Sequence, residues 1–416
     1  MSFSSFSSLS SSPSRAPKAD TSVLKIVDVT EFWSERGGGV RSYLTNKARV
    51  LGELGVPHRV IASGPRHEES VLAGSAPHRS ELIRVQGPAL PYDPTYNLFV
   101  PFGRVRERLV REAPDVLEIH SPQLAALSVL SVPRRAFRVR TMVWHSDFID
   151  TYLSWRIAGV SSKAVARIAT EPLWSWVRTI AGRCTATIAA SAWQARKLRE
   201  RGVPRVHELR FGIDTGVFRP AARDEGHRRA LLGGRRIPLF VSVGRLAGEK
   251  RWDVVIEGFR RFRARREAML VVHGDGPERK ALMDLARDVP DVKFLGFDRD
   301  RERLARSMAS ADALVHAGPF ETFGLSVAEA VACGTPVIVA SAGAARELAV
   351  DGCSEQYAWG DAEALDAALE RLLRRDPTSV RRHALDASRN VVSIDQHFGA
   401  LIALYRELLS TGQARR

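Results

Sequence analysis

Short apolar runs alternate with helical patterns from residue 24 onward, stop near residue 209, and begin again at residue 239. In the first half the apolar runs are residues 24–29, 58–62, 115–120, 138–143 and 184–190, the last clear strand of that half. In the second they are 239–243, 268–273, 292–295, 313–316 and 335–340. Between them lie helical stretches such as 40–54, 252–266, 277–288, 301–310 and, near the end, 397–409. Strands separated by helix-length connections pair in parallel, because only a crossover brings the chain back to the same edge. Two such blocks predict an α/β chain with two Rossmann-like domains, and 416 residues are enough for both. The expected division is a Ser-rich disordered tail at 1–22, a first domain at 23–208 and a second at 209–390. A C-terminal helical segment at 391–416 is expected to pack back on the first domain. Residues 209–220, punctuated by Gly and Pro, read as the linker. Parallel sheets bind ligands beyond the carboxyl ends of their strands, so the two domains should face each other across a cleft.

Composition narrows the class. An apolar share of 44% suits globular domains, and no run of about 18 apolar residues marks a membrane span. The first 20 residues lack the apolar core of a secretory leader. Cys184, Cys333 and Cys353 have neither metal nor redox spacing, which fits a reducing compartment and a cytoplasmic location. The net charge of +15 is concentrated: residues 151–250 hold 19 Lys/Arg against 7 Asp/Glu, an excess of 12. Such a surface draws phosphate-rich partners, but no nucleic-acid-binding motif is present and none is expected as a partner.

Residues 318–337 carry the most chemistry. Glu321 lies in a loop before a helix, and Glu329 lies eight positions on, inside it. The neighbours Leu325, Val327, Ala328, Ala330 and Val331 are apolar or small. A carboxylate there is costly to bury alone and should have a partner. Gly334 is placed to stop the helix in a left-handed conformation. The helix N-terminus attracts phosphate, and the two carboxylates can bind hydroxyls. A nucleoside diphosphate sugar needs all three. Helix capping by acidic residues is the plain alternative; it suits Glu321 better than Glu329.

Other strand exits add to this. Arg245 and Lys250 follow the run 239–243 and can clamp a diphosphate and neutralise it as it leaves. Gly37, Gly38 and Gly39 follow the first strand and allow close approach to phosphate. Gly274 follows the run 268–273 and Phe297 the run 292–295; the two are expected to shape the base pocket. His145 follows the run 138–143 and can reach a sugar hydroxyl from the first domain; His120 has a similar position.

Together these residues resemble the retaining glycosyltransferases of family 4, which have the GT-B fold. The resemblance runs from about residue 24 to 410. Its most specific element is E-x7-E, matched by Glu321 and Glu329. R-x4-K is matched by Arg245 and Lys250, the glycine loop by Gly37 to Gly39, and the linker signature by Gly212-Ile-Asp214 and Phe218-Arg-Pro220. The resemblance implies that Arg245 and Lys250 bind the donor diphosphate, together with Gly38, Gly39 and the backbone of Gly324, Leu325 and Ser326. It implies Glu329 on the ribose, Phe323 beside the sugar, and Glu321 and His145 at the reacting sugar. It also implies transfer of a hexose, mannose or glucose, from a UDP- or GDP-sugar with retention of configuration, with no cofactor and no metal. The tryptophan often found near the C-terminal helix has no counterpart at 392–395.

The expected acceptor is a lipid, a lipid-linked sugar or a glycan, because the chain looks similar to the mannosyltransferases of lipid and polyprenol-linked sugars. Residues 151–183 place Leu153, Trp155, Ile157, Trp174, Trp176, Val177 and Ile180 among Arg156, Lys163, Arg167, Arg178 and Arg183. They read as a basic, aromatic face for an anionic membrane, on its inner side, or as ordinary helices packed in the first domain with the tryptophans inside. The alternatives are a nucleotide-sugar epimerase of the same fold and a non-catalytic nucleotide- or polyanion-binding module.

Overall fold

The computed structural model describes residues 24–413, except 35–37, 76–78, 91, 92, 101, 155, 156, 158 and 160. The expected tail and Gly37 lie outside these residues. The first sheet is built from β1 (Ile26–Thr30), β2 (His58–Gly64), β3 (Glu68–Ala73), β4 (Ser80–Gln86), β7 (Val116–Ile119), β8 (Val139–Trp144), β9 (Ala186–Ala189) and β10 (Val206–Glu208). A small hairpin, β5 (Ala89–Leu90) with β6 (Asp93–Asn97), stands apart. The second sheet contains β11 (Leu239–Val243), β12 (Met269–His273), β13 (Val292–Gly296), β14 (Ala313–His316), β15 (Val337–Ala340) and β16 (Glu355–Tyr357).

Strand order in the first sheet is β10-β9-β8-β7-β1-β2-β4-β3, and all neighbours are parallel except β3 against β4. The second runs β13-β12-β11-β14-β15-β16 and its pairs are all parallel. In each sheet the order reverses beside the first strand of the domain: at β1/β7 in one and at β11/β14 in the other. Those are the crevices where such sheets bind ligands. The central strands are buried on both faces, as parallel strands covered by helices must be.

Three features were not legible in the apolar pattern. β3 is polar and largely exposed, so it gives no apolar run; β4, its antiparallel neighbour, has an interrupted one, and the β5–β6 hairpin is short. β10 is a half-exposed three-residue edge strand, so the run 184–190 is not the last strand of its domain. The final helix is longer than the run 397–409 and spans Ile394–Gln413.

The chain crosses between domains twice, side by side. Ile213 N–H donates to Val392 O at 2.9 Å and Ile394 N–H to Ile213 O at 3.0 Å. A Cβ on Gly212 would stand 2.4 Å from Ser393 O, so only glycine lets the two crossings touch. The helix Ile394–Gln413 then lies on the first domain, where Leu408 packs with Val139 and Ala186. The domains are also joined across the cleft. Ser191 Oγ donates to Thr322 O at 2.9 Å, and Thr322 Oγ1 to the carbonyl of His145 at 2.8 Å.

Candidate active site

The crevice of the second domain gathers its charged residues at one point. Arg245 and Lys250 leave β11, and Glu321 leaves β14, the adjacent strand. Lys250 Nζ donates to Glu321 Oε1, and His316 Nε2 lies 3.2 Å from the same oxygen. Burial pushes the Glu321 carboxyl up, but Lys250 and His316 more than offset this and hold it well below the carboxylate range. Lys250 is correspondingly raised, burial being outweighed by Glu321. A cavity of about 160 Å³ opens here. Lys250, Glu321, Thr322 and Glu249 line it from one side, His145 and Tyr152 from the other.

The helix Leu325–Ala332 begins at Gly324, whose φ of 91° admits no ordinary side chain, and no side chain caps its first turn. The first domain's glycine loop meets this end: a Cβ on Gly39 would come 3.8 Å from Leu325 Cδ1. Gly38, with φ 129°, starts the helix Gly39–Glu53. Gly38, Gly39, Gly324, Leu325 and Ser326 therefore lie about one interdomain seam, and Phe323 is buried beside it against Phe211. Arg245 is exposed at the edge, and its carbonyl is held by Trp252 Nε1 at 2.8 Å.

Glu329 has the partner its surroundings require. Its Oε1 lies 3.2 Å from Arg301 Nη2. Burial raises its carboxyl from an ordinary 4.5 to about 7, with Arg301 only partly opposing and Asp214 adding to the rise. A raised folded-state pKa means that the stability linked to this group is full below 4.5 and is lost as pH climbs through about 7. Glu329→Gln should therefore be more stable than the parent at pH 8, by as much as about 3 kcal/mol, and match it at pH 4.5. Urea denaturation at the two pH values measures this; equal gains at both would show that the carboxylate is not strained.

Gly274 and Phe297 are close, since Gly274 N–H donates to Gly296 O at 2.8 Å. A Cβ on Gly274 would sit 1.9 Å from Gly244 O, so glycine alone fits where β11 and β12 exit together. Phe297 is 57% exposed and rims a second cavity of about 220 Å³ with His273, Asp298 and Arg303.

His145 sits at the end of a buried chain. Its Nε2 is 2.8 Å from His120 Nδ1, and its ring is edge-on to Tyr43 at 4.9 Å. Burial first, then His120 and Lys47, push it well below the usual histidine range, so it is neutral. Behind it lies a cluster that was not anticipated from sequence. Lys47 Nζ donates to Asp28 Oδ1 and Glu118 Oε1, both at 2.8 Å, and to Tyr405 OH at 3.1 Å. His58 Nε2 is 2.7 Å from Asp28 Oδ2, while Tyr405 OH and Thr141 Oγ1 each donate to Glu118 Oε2 at 2.7 Å. The only hint in sequence was an acidic residue at the middle of β1 and of β7. Asp28, Glu118 and His120 have a spacing that suits a metal ion, but the Lys47 ammonium already bonds both carboxylates.

The expected basic, aromatic face at 151–183 is corrected. Trp174, Val177 and Ile180 are fully buried, and Trp174 stacks on Trp144 at 5.9 Å. Trp176 Nε1 donates to Pro122 O at 2.7 Å. These residues form the inner face of the helix Lys163–Gly182, which covers the sheet; its period suits packing as well as it suits a membrane. Leu153 is exposed as expected, together with Tyr152, Val165 and Ile168. Trp155 and Arg156 lie outside the described residues.

Two parallel-sheet α/β domains whose switch points face each other across a cleft have the architecture of a GT-B glycosyltransferase. The Glycosyltransferase Family 4 profile matches residues 37–217, and the Glycosyl transferases group 1 profile matches 227–389. A GDP-mannose-dependent alpha-mannosyltransferase of Mycolicibacterium smegmatis is 32% identical over 298 residues, covering 71% of this chain and 74% of that one. A GDP-mannose-dependent alpha-(1-6)-phosphatidylinositol dimannoside mannosyltransferase of Mycobacterium tuberculosis is 29% identical over 366 residues, covering 87% and 91%. Among solved structures, sucrose-phosphate synthase of Thermosynechococcus elongatus superposes with a TM-score of 0.72 at 20% identity, covering 93% of this chain and 100% of that one. The chain belongs to glycosyltransferase family 4. It is a hexosyltransferase of the GT-B fold.

Proposed function

We propose that the donor is GDP-mannose and that the acceptor is a mannosylated or inositol-bearing glycolipid. The observation that carries this reading is the Lys250–Glu321 pair at the β11/β14 switch point, in a chain whose relatives include GDP-mannose-dependent enzymes. In this reading Arg245 and Lys250 hold the diphosphate with the backbone of Gly38, Gly39, Gly324, Leu325 and Ser326. Glu329 accepts from the ribose hydroxyls, and the base lies by Gly274 and Phe297. Glu321, Phe323 and His145 surround the sugar, where neutral His145 can accept from or donate to a hydroxyl. The acceptor oxygen attacks C1 on the face from which the diphosphate departs. The leaving phosphate takes the acceptor's proton, and the two cations stabilise the charge that a divalent metal would otherwise meet. A thermal-shift series with GDP, UDP and ADP tests the donor: ligand that binds only the folded state raises the melting temperature. GDP should stabilise most; stabilisation by UDP or ADP alone would overturn the assignment.

We further propose that the enzyme works as a peripheral protein on the cytoplasmic face of an anionic membrane. Among the described residues no helix is long and apolar enough to cross a bilayer. Ile168, 74% exposed, stands on the same outer surface as Val165, and Tyr152, exposed in the turn that precedes their helix, lines the site cavity. Ile168→Glu should weaken binding to anionic vesicles roughly tenfold in flotation assays, since it removes one buried aliphatic side chain and adds a repelled charge. Undiminished flotation would exclude this surface.

A further inference from the structure

Trp359 is the one tryptophan among the described residues left in the open, 40% exposed on the loop that follows β16. Trp33, Trp144, Trp174 and Trp252 are buried, and Trp176 and Trp193 are half-buried. β16 lies beside β15, which lies beside β14, so the Trp359 loop leaves the same sheet edge as the Glu321 loop. The indole meets the ring of Phe320 edge-on at 6.1 Å between centroids. Phe320 lines the site cavity and is the chain neighbour of Glu321. Tyr152, 51% exposed, lines the same cavity from the first domain. An aromatic shelf thus runs outward from a pocket otherwise lined by Lys250, Glu249, Glu321, Thr322 and His145.

The shelf and the pocket have complementary chemistry. A pyranose presents an apolar face of C–H groups and a rim of hydroxyls. Aromatic faces carry negative charge density, which attracts polarised C–H groups and excludes water from them. At the shelf's inner end Glu249 and Ser146 also line the pocket, are not assigned to the donor, and can meet an acceptor's hydroxyls. A flexible acyl chain would gain nothing from that polar wall, and a bare phosphate nothing from the aromatic rings.

We infer that Phe320, Trp359 and Tyr152 form an acceptor subsite that stacks on a pyranose ring, so that the preferred acceptor already carries a terminal sugar next to the hydroxyl that reacts. This rests on the glycosyltransferase reading and names the acceptor side of the same site. The test is saturation-transfer NMR on the full chain saturated with GDP, with methyl α-D-mannopyranoside, methyl α-D-glucopyranoside and myo-inositol as probes. A pyranoside should receive saturation on one ring face. Its affinity should fall about five- to tenfold in Trp359→Ala and Phe320→Ala and recover in Trp359→Phe. The GDP-induced rise in melting temperature, measured on the same samples, reports the donor side separately; if it is missing in the parent chain, the donor reading fails. If it is present while no pyranoside binds, or while binding is unchanged in both alanine variants, the shelf is overturned. A Trp359-dependent signal confined to myo-inositol would also overturn it, in favour of a cyclitol.

Discussion

Lys47→Met is expected to cost about 3–5 kcal/mol of folding stability, the penalty for leaving a buried charge without its partner. Lys47, Asp28 and Glu118 are fully buried, and the ammonium is bonded to both carboxylates at 2.8 Å. Methionine fills the space but leaves two carboxylates facing each other with fewer donors. His58 remains on Asp28, and Tyr405 and Thr141 remain on Glu118, so the fold should persist in weakened form. The acid limb follows from Asp28. Burial pushes its carboxyl up, and Lys47 and His120 more than reverse that and hold it well below 3.8. A depressed folded-state pKa gives stability that is present above 3.8 and lost as pH falls below it. Without Lys47 the carboxyl rises, and acid unfolding should begin at a higher pH. Replacing Glu118 by Gln in the Lys47→Met background should recover part of the loss, because one buried charge is then removed. Urea denaturation at pH 7 measures all three; a loss below about 1 kcal/mol would mean that the cluster is solvated and not the core described here.

Lys250→Ala should lower turnover by about 100- to 1,000-fold, the scale for losing one oriented charge at a developing anion. The loss has two parts. The departing diphosphate loses a cation, and Glu321 loses the partner that keeps its carboxyl low. The second part has its own signature. In the parent chain Glu321 is ionised throughout the working range; in Lys250→Ala burial is opposed only by His316, so its pKa rises. Activity of the variant should then acquire a fall on the acid side that the parent lacks. Circular dichroism should remain unchanged, since Lys250 lies on the cleft wall and not in a core cluster. A variant within about threefold of the parent, or one with no new acid limb, would remove Lys250 from the reaction centre.

The sequence made the strand exits visible because each is a short buried run followed by Gly or by charge. Arg245, Lys250 and Glu321 stand out as charges on such exits, and Glu329 as a carboxylate among apolar and small residues of a helix. The demand that Glu329 have a partner was legible, but the identity of Arg301 was not, since the two are 28 positions apart and meet only when the helix Arg301–Ser310 packs on its neighbour. The Lys47 cluster was hidden for the same reason: Tyr405 lies 358 residues away and reaches it only because the final helix returns to the first domain. Residues 151–183 left two readings open because an amphipathic helix with tryptophans has the same period whether it faces a membrane or a sheet. The site's cavity, joining Tyr152 to Phe320, depends on domain closure, which no local pattern encodes.

The most direct measurement is NMR of the product formed from GDP-α-mannose and a mannosylated phosphatidylinositol acceptor in anionic vesicles, with the one-bond C1–H1 coupling of the new linkage read out. The account predicts a new α-mannoside, formed by the parent chain and all but absent with Lys250→Ala. A β-linked product, or no transfer from any nucleoside diphosphate hexose under conditions where the chain is folded, would contradict it.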